Sequence, residues 1–339
     1  MEVPMYTLLM DGREEQVEGP VVPHGRPIFG WERKPHGWCR GDACIPAFRA
    51  AEAETPDGVD LAGFAGLLGR AAVVDPDERL IAVGDAQRLG PDEAPDFRLD
   101  GFSLSEARGS KIALVFWASW CGCRYDLAAW DELHDELSPY GLTVVSVSLD
   151  RNPEDARPWI EGLRHPSLVD AEGSVAELYN VVNVPTVVWV DEEGRIARPQ
   201  DTMTATDTFR EMNGLSSEDA KKALRRWAID GESGLTREAV REHLRIPTEE
   251  ERRARLHARL AAWLFRRGRT APAGGHARLA AELAPHDVAV RRSLMPLSGV
   301  DPFGDEYFRL RDELEAGGVP LYRPLPDWSR GRQAAQAGA

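Results

Sequence analysis

The sequence predicts an α/β fold in its middle third, with a small α+β module before it and an all-helical region after it. The run IALVFW at 112–117 is continuously apolar, which is typical of a strand buried on both faces. Strand and helix patterns then alternate to about residue 214, and strand patterns stop beyond 215. The predicted domains are therefore 1–90, 91–214 and 215–339.

The first domain is rich in Gly and Pro and has short predicted elements. They are a strand at 6–10 that enters a hairpin turn, a short helix at 60–69, and two strands around a turn within 71–83. Residues 25–46 are interpreted as a loop, and this loop carries Cys39 and Cys44 with four residues between them. The sequence thus predicts a small α+β module with a Cys-x4-Cys loop.

The middle domain contains the order β-α-β-α-β-α-β-β. After the first strand, residues 126–137 have helical spacing, with apolar side chains on one face. The next predicted elements are a strand at 142–150, a helix at 152–163, a strand at 167–170, a helix at 173–181 and a hairpin at 186–198. This order favours a sheet that has helices on both faces.

The last domain is predicted to consist of helices that have Ser or Thr at their N-caps. They are predicted at 216–229, 236–244, 248–268 and 273–285. One tetratricopeptide-like (TPR-like) unit would place small residues and a proline at the spacing seen for Gly268, Ala273, Ala280 and Pro285. A single unit is weak evidence, because such repeats are stable only when they stack on neighbouring repeats. We therefore expect a helical region that packs on the middle domain and has no chemistry of its own, since it contains no cysteine, and a frayed tail at 329–339.

Composition excludes several function classes. The net charge of −15 leaves no basic surplus for nucleic acid or for an anionic membrane surface. No run of eighteen apolar residues occurs, and the first residues lack the pattern of a signal peptide. We therefore expect a cytoplasmic protein without nucleic-acid or membrane partners. In a reducing compartment its four cysteines are better explained by redox chemistry, catalysis or metal binding than by a disulfide framework.

Three stretches of the middle domain carry a family pattern. APDFRLDGFSLSEARGSK at 94–111 is a lead-in, FWASWC at 116–121 an active-site strand, and YNVVNVPTVVWVDEEGRI at 179–196 a cis-proline strand with its hairpin. Together they resemble the TlpA/ResA-type thiol–disulfide oxidoreductases of the thioredoxin superfamily, over about a third of the chain. WASWCGC also fits the Trp-Ala-x-x-Cys-Gly-Cys pattern of relatives that carry selenocysteine or cysteine at the first position.

The resemblance implies a thioredoxin-like fold and a thiol–disulfide oxidoreductase or isomerase. It implies a protein or small-molecule disulfide as substrate. With the expected cytoplasmic location, we expect a cytoplasmic thiol as reductant, and we expect neither a cofactor nor a metal. Pro185 matches the cis-proline, and the backbone of Val184 would face a substrate strand.

The residues themselves point to Cys121 as the attacking thiol and Cys123 as the resolving thiol. Cys121 stands where a buried strand ends and a helix begins, so unpaired backbone N–H groups and the helix dipole stabilise its thiolate. Arg124 adds positive charge nearby. Trp117 and Trp120 are expected to pack around the site.

This motif departs from the usual Cys-x-x-Cys in one respect, because only Gly122 separates the cysteines. Side chains two residues apart diverge by ~200° on a regular helix, so a disulfide requires a distorted first turn. We expect the bond to be strained and easily reduced.

The sequence departs from the thioredoxin pattern a second time at Val115, which replaces a buried aspartate that manages protons in many thioredoxins. Asp126 is a candidate substitute, although we expect it to be a solvated helix residue.

Rival interpretations remain at this point. The stretch before Cys121 lacks the Pro-x-x-x-Thr-x-x-Cys pattern of peroxiredoxins, so a thiol peroxidase is a secondary alternative. Paired thiolates also suit the binding of soft metals such as Cu(I) or Hg(II). Cys39 and Cys44 are predicted to form a second redox pair that exchanges electrons with Cys121 and Cys123. A zinc site with His24 and His36, or a simple locking disulfide, is the competing account.

Overall fold

A computed structural model of the chain describes residues 5–86 and 89–326. These residues form two compact units, of which one contains 5–86 with 248–284 and the other 89–247 with 285–326. This grouping differs from the three consecutive domains that the sequence predicts, because the helical region is divided between the two units. The predicted frayed tail at 329–339 lies outside the described residues.

The elements are numbered along the chain. The strands are β1 (Tyr6–Met10), β2 (Arg13–Val17), β3 (Val21–Val22), β4 (Glu32–Lys34), β5 (Gly37–Arg40), β6 (Ala43–Pro46), β7 (Glu54–Thr55), β8 (Gly58–Asp60), β9 (Arg70–Asp75), β10 (Leu80–Ala86), β11 (Arg98–Leu99), β12 (Phe102–Ser103), β13 (Lys111–Trp117), β14 (Leu142–Ser148), β15 (Ser167–Val169), β16 (Thr186–Val190) and β17 (Ile196–Asp201). The helices are α1 (Ala47–Ala50), α2 (Leu61–Leu67), α3 (Leu127–Leu137), α4 (Pro153–Ile160), α5 (Ser174–Leu178), α6 (Arg210–Asn213), α7 (Ser217–Asp230), α8 (Arg237–His243), α9 (Glu249–Arg266), α10 (Thr270–Leu283), α11 (Val288–Ser293) and α12 (Asp305–Ala316). In the described part of the chain, no helix has the length and apolar character that crossing a bilayer requires.

The first unit is built on a sheet of four strands in the order β2-β1-β10-β9. The predicted hairpin at β1 and β2, the short helix α2 and the pair β9 and β10 are confirmed. The prediction of a loop over residues 25–46 is wrong, because β4, β5 and β6 form a small antiparallel sheet there. These strands have three or four residues each and are bordered by Gly and Pro, so no period-2 pattern is long enough to show in the sequence.

The two faces of this sheet bury different partners. Leu8 and Ile81 pack in one core with Phe64 of α2. Leu9 and Leu80 point to the other face, where they pack with apolar residues of α9 and α10. Because the helix pair α9–α10 covers a sheet, it does not stack as a unit of a helical repeat. The expectation that this part of the helical region packs on the middle domain is therefore wrong for residues 248–284.

The second unit contains a sheet of five strands in the order β15-β14-β13-β16-β17. The strands β13, β14 and β15 are parallel, and β16 and β17 continue the sheet antiparallel. Leu114 and Phe116 of β13 face one hydrophobic core, while Ala113 and Val115 face another. The predicted α/β fold and the prediction of a strand buried on both faces are confirmed.

Helices cover both faces of this sheet. On one face α3 packs beside α7, where Trp227 stacks on Trp189 of β16 with ring centroids 4.7 Å apart. On the opposite face the core includes Val175 of α5, Val240 of α8 and Ala289 of α11. Helices on either side of the 248–284 segment therefore complete the core around the central sheet.

Candidate active site

The two cysteines of the middle domain follow the central strand directly. β13 ends at Trp117, and residues 122–126 form a 3-10 turn before α3 begins at Leu127. Cys121 and Cys123 are joined by a disulfide, with their Cα atoms 5.2 Å apart. The turn is therefore not α-helical where the two cysteines lie, as the one-residue spacing requires.

Cys121 occupies the N-cap position of this turn. Its Sγ atom lies 3.2 Å from the backbone nitrogen of Cys123, whose N–H points at the sulfur, and 3.6 Å from the carbonyl oxygen of Val184. The Val184–Pro185 peptide bond is cis. A backbone N–H aimed at Sγ stabilises a thiolate in the reduced state, because it donates to the charged form.

The loop before Cys121 is fixed by a buried carboxylate that the sequence interpretation did not assign to the site. Asp150 accepts hydrogen bonds from the backbone N–H of Ser119 at 2.9 Å and from its hydroxyl at 2.6 Å. Ser148 donates to the same carboxylate at 2.6 Å. Burial raises the pKa of Asp150, and these hydrogen bonds oppose that rise. The sequence does place Asp150 directly after β14. Because β13 and β14 are parallel, their carboxyl ends lie at the same edge of the sheet, and this could have predicted that Asp150 lies near the cysteines.

The supporting residues predicted from the sequence have distinct environments. Trp117 and Trp120 are each 1% exposed and belong to the hydrophobic core beneath the motif. Arg124 donates a hydrogen bond to the carbonyl oxygen of Ser119, and its guanidinium lies 4.8 Å from the ring centroid of Phe303. Arg124 therefore braces the loop as well as adding positive charge near it.

The packing around position 122 favours glycine. A Cβ atom built on it would lie 2.5 Å from a ring carbon of Phe209, closer than real Cβ contacts. The ring of Phe209 thus packs directly over the residue that separates the two cysteines. Sequence analysis did not identify Phe209, since a lone phenylalanine after the sheet carries no motif.

Asp126 is buried, so the expectation of a solvated helix residue is wrong. It is 4% exposed, and it accepts hydrogen bonds from the backbone N–H of Ala205 at 3.1 Å and from the hydroxyl of Thr206. Burial raises the pKa of Asp126, and the hydrogen bonds oppose that rise. It is a titratable group that lines the same cavity as Cys121 and Cys123.

That cavity has a volume of about 150 Å³ and opens over the Cys-Gly-Cys motif and Pro185. Its other walls come from residues 204–213 and from Arg292, Phe303, Tyr307, Phe308 and Tyr322. The later part of the helical region therefore contributes walls to the site, whereas the expectation that it has no chemistry of its own stays a prediction. No local sequence pattern predicts that these residues belong to the site, because only the fold brings them close to the cysteines.

Cys39 and Cys44 lie in the first unit, directly opposite each other on β5 and β6. They are joined by a disulfide with a Cα–Cα distance of 4.1 Å. The Nε2 atom of His36 lies 3.3 Å from the sulfur of Cys39 and 3.6 Å from that of Cys44. His24, the other predicted ligand, contacts the carbonyl oxygen of Thr55 instead. Within the described residues, His36 with the two cysteines forms the group suited to a metal ion.

Comparisons with known proteins agree on the middle domain. Residues 91–198 match the AhpC/TSA family. The chain is 37% identical over 131 residues to the thioredoxin-like protein YneN of Bacillus subtilis, covering 35% of this chain and 74% of that protein. It is 31% identical over 132 residues to the thiol–disulfide oxidoreductase ResA of Oceanobacillus iheyensis, covering 35% of this chain and 65% of that protein.

Among solved structures, the pneumococcal exposed lipoprotein thioredoxin of Streptococcus pneumoniae is 28% identical, with a TM-score of 0.32, over 39% of this chain and 99% of that chain. The family assignment rests on the sequence matches, in which YneN is both more than 30% identical and covered over more than two thirds of its length. The chain belongs, through this domain, to the TlpA/ResA-like thiol–disulfide oxidoreductases of the thioredoxin superfamily.

Proposed function

We propose that this thiol–disulfide oxidoreductase works through its Cys-Gly-Cys motif, with Cys121 as the attacking thiol and Cys123 as the resolving thiol. The observation that carries the proposal is the position of the Cys121 sulfur, which lies at the N-cap of the turn and faces the N–H of Cys123. The same sulfur borders a cavity beside Pro185. A position at the N-terminus of a helix lowers the pKa of a thiol, since the helix dipole and the free N–H groups favour the thiolate.

The reaction proceeds by two exchanges. The thiolate of Cys121 attacks one sulfur of a substrate disulfide, the substrate S–S bond breaks, and one thiolate leaves. The thiolate of Cys123 then attacks the sulfur of Cys121, and the second substrate thiolate leaves. Two electrons pass from the dithiol to the substrate, and the two cysteine protons go to the products or to solvent.

Asp126 is proposed as the proton acceptor for Cys123 in the second exchange. It replaces the buried aspartate that Val115 excludes, and its burial together with its raised pKa suits a group that holds and releases a proton. The carbonyl oxygen of Val184 accepts a hydrogen bond from Cys121 when Cys121 is in its thiol form.

We also propose that Cys39 and Cys44 form a second redox pair that exchanges electrons with the first. Cys44 is exposed, so another thiol can reach it, and tethering in one chain makes the exchange intramolecular, with an effective concentration of order mM. A cytoplasmic location with a thiol reductant belongs to the same proposal. The candidate that competes with the relay is a metal site, which the two contacts of His36 with the sulfurs favour.

Trapping tests the assignment of the two thiols. Cys123→Ser should accumulate a mixed disulfide between Cys121 and a substrate, because the resolving thiol is absent. Cys121→Ser should form none. Mass spectrometry of the trapped species measures both outcomes, and a link through Cys123 in the Cys121→Ser protein contradicts the assignment.

A further inference from the structure

The backbone next to Pro185, which a protein substrate would need, is covered by the chain itself. The carbonyl oxygen of Val182 accepts a hydrogen bond from the backbone N–H of Ala289 at 3.0 Å. The side-chain amide of Asn183 donates to the carbonyl oxygen of Leu321 at 2.7 Å, and Val184 is 2% exposed. A substrate strand that pairs with this backbone would have to displace Ala289 of α11 and the segment at 321–325.

That segment is held along the sheet as well. The backbone N–H of Arg323 donates to the hydroxyl of Thr202 at 2.9 Å, and that of Leu325 donates to Asp201 at 2.8 Å. Both acceptors lie at or just after the end of β17. The space left beside the dithiol is the cavity of about 150 Å³, which has room for about five water molecules at the density of the liquid. It suits a small molecule better than a protein loop.

The walls of the cavity are largely aromatic and apolar. Phe209, Met212, Phe303, Tyr307 and Phe308 contribute to them. Aromatic walls bind flat apolar bodies by stacking and by removing them from water. The composition therefore favours a substrate with an aromatic or apolar body.

Arg292 gives the cavity a positive charge that is not neutralised. It is 4% exposed, and no carboxylate pairs with it among the described residues. Its Nη2 donates to the carbonyl oxygens of Trp120 and Pro302, while Nε has no hydrogen-bond partner. Its guanidinium also lies over the ring of Tyr307 at 3.7 Å. Burial lowers the pKa of Arg292 to about 10, so it is still charged at neutral pH.

Among the described residues that line the cavity, Asp126 carries the only carboxyl group, and that group accepts hydrogen bonds from Ala205 and Thr206. A buried charge without a counter-ion is costly, and a bound anion offsets that cost. A guanidinium group also donates charge-assisted hydrogen bonds to carboxylates.

We propose that the substrate of this site is a low-molecular-weight disulfide with an aromatic or apolar body and a carboxylate, which Arg292 binds. The inference rests on the proposed function, since the same two exchanges reduce this disulfide: the Cys121 thiolate breaks the substrate S–S bond, and closure of the Cys121–Cys123 bond releases the second thiolate. Two electrons leave the dithiol, and an external dithiol restores it.

Two chromogenic probes test the charge requirement. The pre-reduced protein, carrying Cys39→Ser and Cys44→Ser so that only the site dithiol reacts, is mixed at pH 7.5 with 5,5′-dithiobis(2-nitrobenzoate) or with neutral 4,4′-dithiodipyridine. Arg292→Met should raise the half-saturating concentration of the dianionic probe at least tenfold and change that of the neutral probe less than twofold. Arg292→Lys should restore part of the difference. Arg309→Gln, which removes an exposed arginine of α12, is the matched control and should change neither value.

A binding measurement covers the case in which Arg292→Met is unstable. For the oxidised wild type, benzoate should raise the melting temperature and benzamide, its neutral counterpart, should not. Equal losses with both probes, no stabilisation by benzoate, or a preference for the disulfides of insulin over both probes overturns the inference. If the protein reacts with all probes but does not discriminate by charge, the inference is overturned and the proposed function stands. If the folded wild type reacts with none of the probes, both the inference and the proposed function are overturned.

Discussion

The two cysteine pairs show how the same chemical group acquires different properties from its surroundings. Cys121 and Cys123 lie at the junction of a buried strand and a helix, where both are less than a tenth exposed. Cys39 and Cys44 lie opposite each other in a hairpin, where Cys44 is exposed. A helix start presents free N–H groups to a thiolate, whereas the strands of a hairpin use theirs in pairing.

The neighbours of each pair extend the contrast. The first pair shares a cavity with a buried carboxyl group, Asp126, and a buried cation, Arg292. Beside the second pair lies the imidazole of His36, within 3.6 Å of both sulfurs. The first environment therefore fits the proposed exchange with a bound substrate, and the second is suited to a disulfide or to a metal.

The largest difference is expected in turnover. Cys121→Ser should lower the rate of small-disulfide reduction to below ~0.1% of wild type, because the nucleophile is lost. Cys44→Ser, the matched change in the other pair, should leave that rate within about twofold when dithiothreitol is the reductant, because a small dithiol reduces the first pair directly and bypasses the proposed relay. Steady-state kinetics with a small disulfide measures both, and a large loss with Cys44→Ser would show that the two pairs act as one site.

The next effect concerns proton transfer. Asp126→Asn should slow the second exchange by about a hundredfold, within the range of general acid–base catalysis. The pKa of Asp126 is raised by burial, and the carboxylate that accepts a proton exists above that pKa. The ratio of the wild-type rate to the variant rate should therefore grow as pH rises through the raised pKa and approach one below it. Glu132→Gln, an exposed change on α3, is the control, and a pH-independent ratio would assign Asp126 a structural role.

The second pair should matter for stability. Its disulfide closes a loop with a sequence separation of 5, and loop entropy predicts a loss of about 2 kcal/mol in the free energy of unfolding for Cys39→Ser with Cys44→Ser. Denaturant unfolding of wild type and variant measures it.

The zinc content of the reduced protein separates the redox relay from the metal site at the second pair. Stoichiometric zinc that is lost in His36→Ala but kept in the control His24→Ala contradicts the redox relay.

The smallest expected effect is on the reduction potential of the first pair. Insertion of a proline after Gly122 gives Cys-Gly-Pro-Cys, whose wider spacing suits a relaxed disulfide on one helical face. The potential should fall by a few tens of mV, where about 30 mV corresponds to roughly 1.4 kcal/mol. Equilibration with a glutathione buffer measures it. An unchanged or higher potential means that the short spacer does not make the disulfide easier to reduce.

The sequence by itself determined what is local or strongly patterned. The apolar run of β13, the helix after the cysteines and the motif itself were sufficient for the fold class and for the family, because each is a contiguous pattern. The short strands around Cys39 and Cys44 were missed, since segments of three or four residues carry too little periodicity.

Only the tertiary structure decided which distant residues complete the site. Asp126 looks like an ordinary polar residue at a helix start, and it is buried because residues 204–206 cover it. Arg292 lies 169 positions after Cys123 in a helix without any motif, yet its guanidinium lines the same cavity. Burial and charge compensation depend on what packs against a side chain, and for these residues the partners are far away in the sequence. For that reason the sequence predicted the reactive sulfur, and the fold determined the chemistry around it.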